Sequence, residues 1–311
     1  MATTKSILPR FTNIPCPLCG STVHKILYRS TLTKKDFDPR AIQNNLKNSL
    51  DDYTKHGQIV RCKNCSVVYV NPVESISSLL TGYKDVVDHE YLETESYRKQ
   101  LLKEHLSKID ELSKKGILLD IGCFAGYFLQ IAREDGWLPF GIEPSRWAVK
   151  YAKKNGARIL GSSLYNTKLA SNTYDAVTLW DVIEHLDTPH TALKIIHRSL
   201  KKDGIIALGT PNIDSLFSRI LGEKCPFLIR MHLILYSPKT LRLLLEKNGF
   251  EVMSCGSYGR IFPLSYLLDR IQTTNKIFRY FRKQIQSISF LASFPIRINL
   301  GDSFIMIAKK I

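Results

Sequence analysis

Two short apolar runs that each end in an acid constrain this chain more than any other feature. Ile117, Leu118, Leu119, Asp120 and Ile121 form one; Pro139, Phe140, Gly141, Ile142 and Glu143 form the other. Continuous apolar runs of this length are expected of strands buried on both faces. Helical patterns follow each, from Tyr127 to Arg133 and from about Ser145 to Asn155. Further strands are predicted at Arg158 to Leu160, Tyr174 to Trp180 and Gly204 to Leu208. Strands alternating with helices predict an α/β fold with a doubly wound, mostly parallel sheet.

In such sheets the ligand lies beyond the carboxyl ends of the strands, where the strand order switches. Asp120, Gly122 and Gly126 follow the first strand there, and Glu143 ends the second. Glycines let the turn pass close beneath a ligand, and the acid can accept both hydroxyls of a ribose. The glycine spacing does not fit G-x-G-x-x-G, which disfavours a dinucleotide. The residues therefore point to a nucleoside cofactor.

The N-terminal quarter carries Cys16, Cys19, Cys62 and Cys65 as two CxxC pairs separated by 42 residues. A tight turn brings both sulfurs of a pair to one side, and two such knuckles give a closed set of four thiolates. Such a set holds structural zinc. A redox dithiol would sit at a helix start after a strand, a context neither pair has. Residues 1–73 are thus read as a zinc ribbon and 74–115 as a helical connector. The residues recurring there at helical spacing are Leu101, Leu102, His105 with Leu106, Ile109 and Leu112.

Residues 116–255, with the segment GDSFIMIAKK, resemble a class I S-adenosylmethionine-dependent methyltransferase. The matching segments are LLDIGCFAGYFL, GIEPS, YDAVTLWDVIEHL, KKDGIIALGTPN and LYSPKTLRLLLEKNGFEV. The nearest group is the one that includes the ubiquinone-biosynthesis O-methyltransferase, many bacterial members of which begin with a zinc ribbon. The resemblance implies seven strands, the last antiparallel, and a methyltransferase domain over 116–311 with a basic-aromatic insertion at about 256–298. It implies that Asp120, Gly122 and Gly126 line the methionine end of S-adenosylmethionine and that Glu143 holds the ribose. Ser163 would edge the adenine, and Trp180 and Asp181 would flank the methionine. Phe124 stands where that loop usually has a glycine. A side chain there narrows the pocket, and the loop tolerates it if φ stays negative.

The cofactor carries an electrophilic methyl, so the protein must align a nucleophile, and for a hydroxyl a base or metal adds rate. Asp181, Glu184 and His185 are spaced to share a face of a helical turn. In the ubiquinone-type relatives the corresponding set is linked to a divalent metal, here Mg2+. His232 is the preferred base, with His185 as second candidate. Both His232 and the Glu184–His185 pair can equally brace backbone. Asn212 is a further pocket candidate. Tyr91, Tyr97 and Arg98 are placed to fold over the cofactor carboxylate or to face solvent.

Lys and Arg number 44 against 28 Asp and Glu, and the last 56 residues contribute +7 of the net +16. Basic and aromatic residues alternate from Lys276 to Lys283, which suits an anionic membrane surface, a lipid-linked acceptor or single-stranded nucleic acid. No apolar run of 18 residues exists and the first residues lack a signal-peptide core. The expectation is a cytoplasmic enzyme, with peripheral contact at the inner membrane face, acting on a small or lipid-linked acceptor. The favoured methylated group is a hydroxyl of a sugar, phenol or secondary metabolite; nucleic acid is disfavoured as a partner. Two alternatives stay open: a methyltransferase gripping RNA or protein by ribbon and basic tail, and a non-catalytic cofactor-binding module, for which Phe124 is the hint.

Overall fold

The computed structural model describes residues 11–33, 36, 55–75, 91–92, 94–270 and 288–311. The ribbon begins with β1 (Phe11–Thr12) and β2 (His24–Tyr28), then β3 (Ile59–Cys62), β4 (Val68–Val70) and β5 (Val73–Glu74). The first knuckle follows β1; the second turns between β3 and β4 with Ser66 in the left-handed region at φ 66°. β5 pairs with β1, carrying the ribbon to Glu74.

The connector forms α1 (Glu95–Asp110), which buries His105, Leu106 and Ile109, one helical stripe as the pattern predicts. Of the connector's earlier part, residues 76–90 lie outside the described residues. The central strand β6 (Ile117–Ile121) leads through the glycine turn into α2 (Tyr127–Glu134). Next come β7 (Leu138–Ile142), α3 (Arg146–Lys154), β8 (Ile159–Gly161) and β9 (Tyr174–Trp180). Ser145 caps α3, its side chain accepting from the Ala148 amide at 3.2 Å. A 3-10 turn at Ile183–His185 precedes α4 (Pro189–Ser199) and β10 (Leu200–Pro211).

Beyond β10 lie α5 (Leu216–Leu221), β11 (Ile234–Leu235), α6 (Pro238–Glu246) and β12 (Phe250–Ser257). The chain ends with β13 (Arg260–Pro263), α7 (Leu264–Arg270), α8 (Ser289–Ala292), β14 (Pro295–Ile298) and β15 (Ser303–Lys310). The main sheet runs β12-β15-β10-β9-β6-β7-β8. Only β15 is antiparallel to its neighbours, pairing so with both β10 and β12. This is the seven-stranded, mostly parallel, doubly wound architecture expected. Leu118 and Leu119 of β6 are fully buried on opposite faces. Burying each contributes roughly 2 kcal/mol of transfer free energy.

The described parts of the insertion combine two strands with two short helices. It opens with β13, which pairs antiparallel with β14 as a flap beside the carboxyl ends of the sheet. The alternating basic-aromatic run at 276–283 lies outside the described residues. None of the described helices is long and apolar enough to cross a membrane.

The ribbon is not a bead on a tether. Its sheet runs β11-β4-β3-β2, so β11, from the far end of the chain, completes it. Ile234 pairs with Tyr69 and Leu235 with Val68. Cys16, Leu18 and Tyr69 share one apolar core with Leu179, Ile183 and Leu244. Arg230 is nearly buried and makes a two-pronged ion pair with Glu74, at 2.6 and 2.8 Å.

Candidate functional site

The turn after β6 can only be made with glycine at two points. Gly122 has φ 74°, and a Cβ there would stand 2.5 Å from Cγ2 of Val182. Gly126 has φ 79° and caps α2 while Ala152 packs against it, leaving a would-be Cβ at 3.0 Å. Between them Phe124 stands at φ 43°. The negative φ that would make a side chain easy here is not adopted: the chain keeps the left-handed geometry glycine normally supplies. Its ring packs 4.5 Å from Tyr91 and 5.8 Å from Trp147, contacts that hold it there. Arg98 sits over the Tyr91 ring at 4.0 Å.

Two buried carboxyls underlie this turn. Asp120 accepts from the Thr178 hydroxyl at 2.7 Å, and its carboxyl is pushed up to about 8 by burial, with the Glu143 charge adding to it. Glu143 accepts the amides of Phe124 at 2.9 Å and Ser145 at 2.7 Å. Burial pushes Glu143 up to about 7 against those two bonds.

A cavity of about 470 Å³ opens here. Asp120, Gly122, Trp180 and Asp181 line it from the sheet, and Arg98 and His105 from α1. The flap closes the far wall with Arg260, Ile261, Phe262 and, from α7, Tyr266. Phe262 and Tyr266 are stacked there, 5.1 Å apart at 3°. Of the other residues expected around the cofactor, Glu143, Gly126 and Ser163 do not line this cavity. Glu143 touches it through the Phe124 amide, while Ser163 braces its own turn by accepting from the Tyr165 amide at 3.3 Å.

His105 escaped the sequence reading because it looked like one more residue of an apolar stripe. It stacks on Trp180 at 4.8 Å and meets Tyr258 edge-on at 4.7 Å. Burial pushes its imidazole down to about 3, so it is neutral. A histidine inside an otherwise aliphatic stripe was the one available signal.

Behind Asp181 lies a second group. Glu184, His185 and His232 each place one ligand atom within 4.8 Å of the others. Glu184 is buried; one oxygen accepts from Thr210 at 2.9 Å and the other has no partner. Burial, then the Asp181 charge, raises its carboxyl well above the usual range. Nδ1 of His185 donates to the Met231 carbonyl at 2.9 Å, and Nδ1 of His232 to the Phe227 carbonyl at 2.8 Å. A carbonyl only accepts, so both rings carry their proton on Nδ1 and leave Nε2 bare. Burial pushes both imidazoles down. The two expected bases are thus brought together, with ring centroids 4.8 Å apart.

The expected Mg2+ set of Asp181, Glu184 and His185 is not assembled. Asp181 has φ 52° and its amide bonds the Gly209 carbonyl at 2.9 Å, so the chain turns before the 3-10 turn begins. Its half-exposed carboxylate faces Arg260 at 3.9 Å instead. The helical face inferred from spacing does not reach back to it. Asn212 also faces away from pocket duty, donating to the Gly301 carbonyl at 3.1 Å and accepting from the Asp214 amide at 3.1 Å.

The four ribbon cysteines converge, Cys16 on Cys65 at 3.5 Å and Cys19 on Cys62 at 3.6 Å, and none forms a disulfide. Zinc–sulfur bonds of ≈ 2.3 Å make a tetrahedron with edges of about 3.8 Å, so the donor set fits that ion.

A family profile described as a methyltransferase domain matches residues 94–254. The ubiquinone biosynthesis O-methyltransferase of Haemophilus ducreyi is 28% identical over 106 residues, 30% of this chain and 45% of that protein, so the match spans less than half of that relative. Among solved structures, a SAM-dependent methyltransferase from Archaeoglobus fulgidus is 24% identical, covering 72% of this chain and all of that one, with TM-score 0.49. A SAM-dependent methyltransferase from Thermotoga maritima is 19% identical over 71% of this chain and 92% of that one, with TM-score 0.47.

Proposed function

Since this chain belongs to the methyltransferase-domain family, and is a class I enzyme using S-adenosylmethionine, we propose that it methylates a hydroxyl of a small or lipid-linked acceptor. Asp120, Gly122, Trp180 and Asp181 hold the methionine end of the cofactor, with Gly126 shaping the turn. Glu143 reaches the ribose from behind the Phe124 amide, and Ser163 edges the adenine. The acceptor enters against the flap. Cys16, Cys19, Cys62 and Cys65 hold structural zinc.

The observation that carries this reading is the single cavity lined on one side by the glycine turn and on the other by Arg260 to Tyr266. Cofactor and acceptor can meet there with no covalent intermediate, the protein supplying alignment and desolvation. Neither His185 nor His232 lines that cavity, but both are neutral imidazoles with bare Nε2 atoms, and His185 follows closely on Asp181 and Val182 of its wall. Either can take the proton of a hydroxyl as its oxygen attacks the sulfonium methyl, which favours oxygen over an already basic nitrogen. The aromatic flap suits a sugar face or a phenol equally.

Calorimetric titration with S-adenosylmethionine and S-adenosylhomocysteine tests the first half; micromolar binding is expected. Transfer of labelled methyl to phenolic or sugar acceptors in the presence of the protein, lost in His185→Ala or His232→Ala, tests the second. Full transfer by both variants would remove the imidazoles from the reaction.

A further inference from the structure

We propose that His105 and Trp180 together form the seat for a hydroxyl of the acceptor, its oxygen donating to the imidazole and accepting from the indole N–H. The inference rests on the reading that the acceptor enters against the flap, and it names the residues that recognise it.

The two side chains come from different parts of the fold. His105 stands on the buried stripe of α1, in the connector, and Trp180 ends β9. Both line the cavity. Stacking at 4.8 Å and 26° fixes one ring against the other. Tyr258 meets the imidazole edge-on at 4.7 Å, and Phe128 meets the indole at 5.3 Å. Rings held from several sides present their nitrogens in one geometry, as recognition of a single polar group requires.

Nothing else in the described protein satisfies those nitrogens. Nδ1 of His105 and Nε1 of Trp180 are buried and have no hydrogen-bond partner among the described residues. A buried polar atom without a partner is costly and uncommon in a folded protein. Here two such atoms lie on stacked rings in the wall of one cavity. Because they are sheltered from bulk water, their partner has to be a ligand atom or a trapped water.

The chemistry of the pair selects the ligand. Burial keeps the imidazole neutral, so with its proton on Nε2 the Nδ1 atom accepts, whereas the indole N–H only donates. A hydroxyl oxygen both donates and accepts, and satisfies the two at once. An ammonium has nothing to accept with, and an ether oxygen nothing to donate. A carboxylate or phosphate would bring a full charge against a wall of aromatic rings. The charged groups of the cofactor's methionine have charged counterparts in the same cavity, Arg98 and Asp181. With bonds of about 2.9 Å, one oxygen can bridge nitrogens up to about 5 Å apart, and the ring centroids are 4.8 Å apart. His105 takes up no proton in this role: it recognises a hydroxyl and does not ionise it.

The test uses the zinc-loaded full chain, labelled with 15N and saturated with S-adenosylhomocysteine. Its three tryptophans give three indole N–H signals, and Trp180→Phe identifies that of Trp180. Phenol and methyl glucoside serve as hydroxyl probes, with benzene and methyl phenyl ether as controls. At least one hydroxyl probe should move the Trp180 signal saturably and leave that of Trp137 in place; neither control should move it. His105→Phe keeps an aromatic ring but no nitrogen, so it should weaken the probe about tenfold, the worth of one hydrogen bond. Binding of S-adenosylhomocysteine should not change. His105→Gln, which restores a donor and an acceptor, should recover part of the loss, and an unmoved Trp137 signal certifies that both variants fold. A Trp180 signal that answers benzene as it answers phenol, or that no hydroxyl probe moves, overturns the proposal and leaves a trapped water as the partner. Weakened S-adenosylhomocysteine binding in His105→Phe with probe binding intact also overturns it, and gives the nitrogens to the cofactor. If the native chain binds no S-adenosylhomocysteine, the methyltransferase reading fails, while the probe titration on the same sample still reports on the seat.

Discussion

The Phe124 amide donates to Oε2 of Glu143 at 2.9 Å, so the acid assigned to the ribose also clamps the glycine turn beneath it. On the proposed ribose role, cofactor binding and loop geometry share one side chain. Glu143→Ala should weaken S-adenosylmethionine binding at least tenfold, about 1.4 kcal/mol. The ribose hydroxyls need an acceptor, and burial holds this carboxyl at about 7, so affinity should rise from pH 6 to pH 8. Glu143→Gln should flatten that rise. Calorimetry at three pH values checks both; a pH-independent affinity in the native protein separates Glu143 from the ribose.

Without cofactor, the same carboxyls make stability depend on pH. Asp120 and Glu143 titrate near 3.8 and 4.5 in an unfolded chain but near 8 and 7 when folded. Between these limits the folded protein binds more protons than the unfolded one, so stability falls as pH rises. Their contribution is complete below about pH 4 and lost as pH passes through 7 and then 8. Denaturant melts of the cofactor-free protein should show this decline, and Asp120→Asn should reduce it. Equal midpoints for native protein and variant across that range would show that Asp120 stays ionised.

Phe124 combines a strained backbone with a well-packed ring. Left-handed geometry costs a non-glycine residue roughly 1–2 kcal/mol, while its contacts with Tyr91 and Trp147 return about 0.5–1.5 kcal/mol each. Phe124→Gly removes strain and ring together and should leave stability within about 1 kcal/mol of the native protein. Phe124→Ala keeps the strain and loses the ring, so it should be the less stable variant by roughly 1 kcal/mol. Denaturation midpoints showing alanine more stable than glycine would contradict the strain argument.

The pairing of β11 with β4 makes the ribbon a support for the loop that carries His232. Removing metal from Cys16, Cys19, Cys62 and Cys65, or replacing Cys16 and Cys62 by serine, should loosen the amides of 231–235 as well as those of the knuckles. Hydrogen exchange by mass spectrometry reads this directly. Protection of 231–235 unchanged on chelation would mean that the paired strands hold without the ion.

Much of this was legible in the residues. The parallel strands announced themselves because burial on both faces leaves an unbroken apolar run, and the acids ending β6 and β7 stood out against it. The knuckles needed only their spacing. What stayed hidden was set by tertiary contact. The two-residue strand β11 has no pattern of its own and exists because Tyr69, about 165 residues earlier, pairs with Ile234. Asp181 left the Glu184 face because of one backbone angle, which spacing does not encode. His232 was found as a single candidate, but its partnership with Glu184 needed the fold.

Arg230 and Glu74 join the loop before β11 to the ribbon from within, with side chains 9% and 5% exposed. The guanidinium also donates to the Asp36 carbonyl at 2.8 Å, so it spans two parts of the N-terminal module. At such burial the loss of one partner removes the opposite charge from a buried ion, so Arg230→Ala or Glu74→Ala should each cost about 3–5 kcal/mol. Replacing both by apolar residues of similar volume, Arg230→Met with Glu74→Leu, leaves neither buried charge and should recover most of that loss. Urea melts of the native protein, Arg230→Met, Glu74→Leu and their double variant give the coupling energy. Purely additive losses would mean that the pair contributes no more than two independent surface charges, and that packing alone holds the loop against the ribbon.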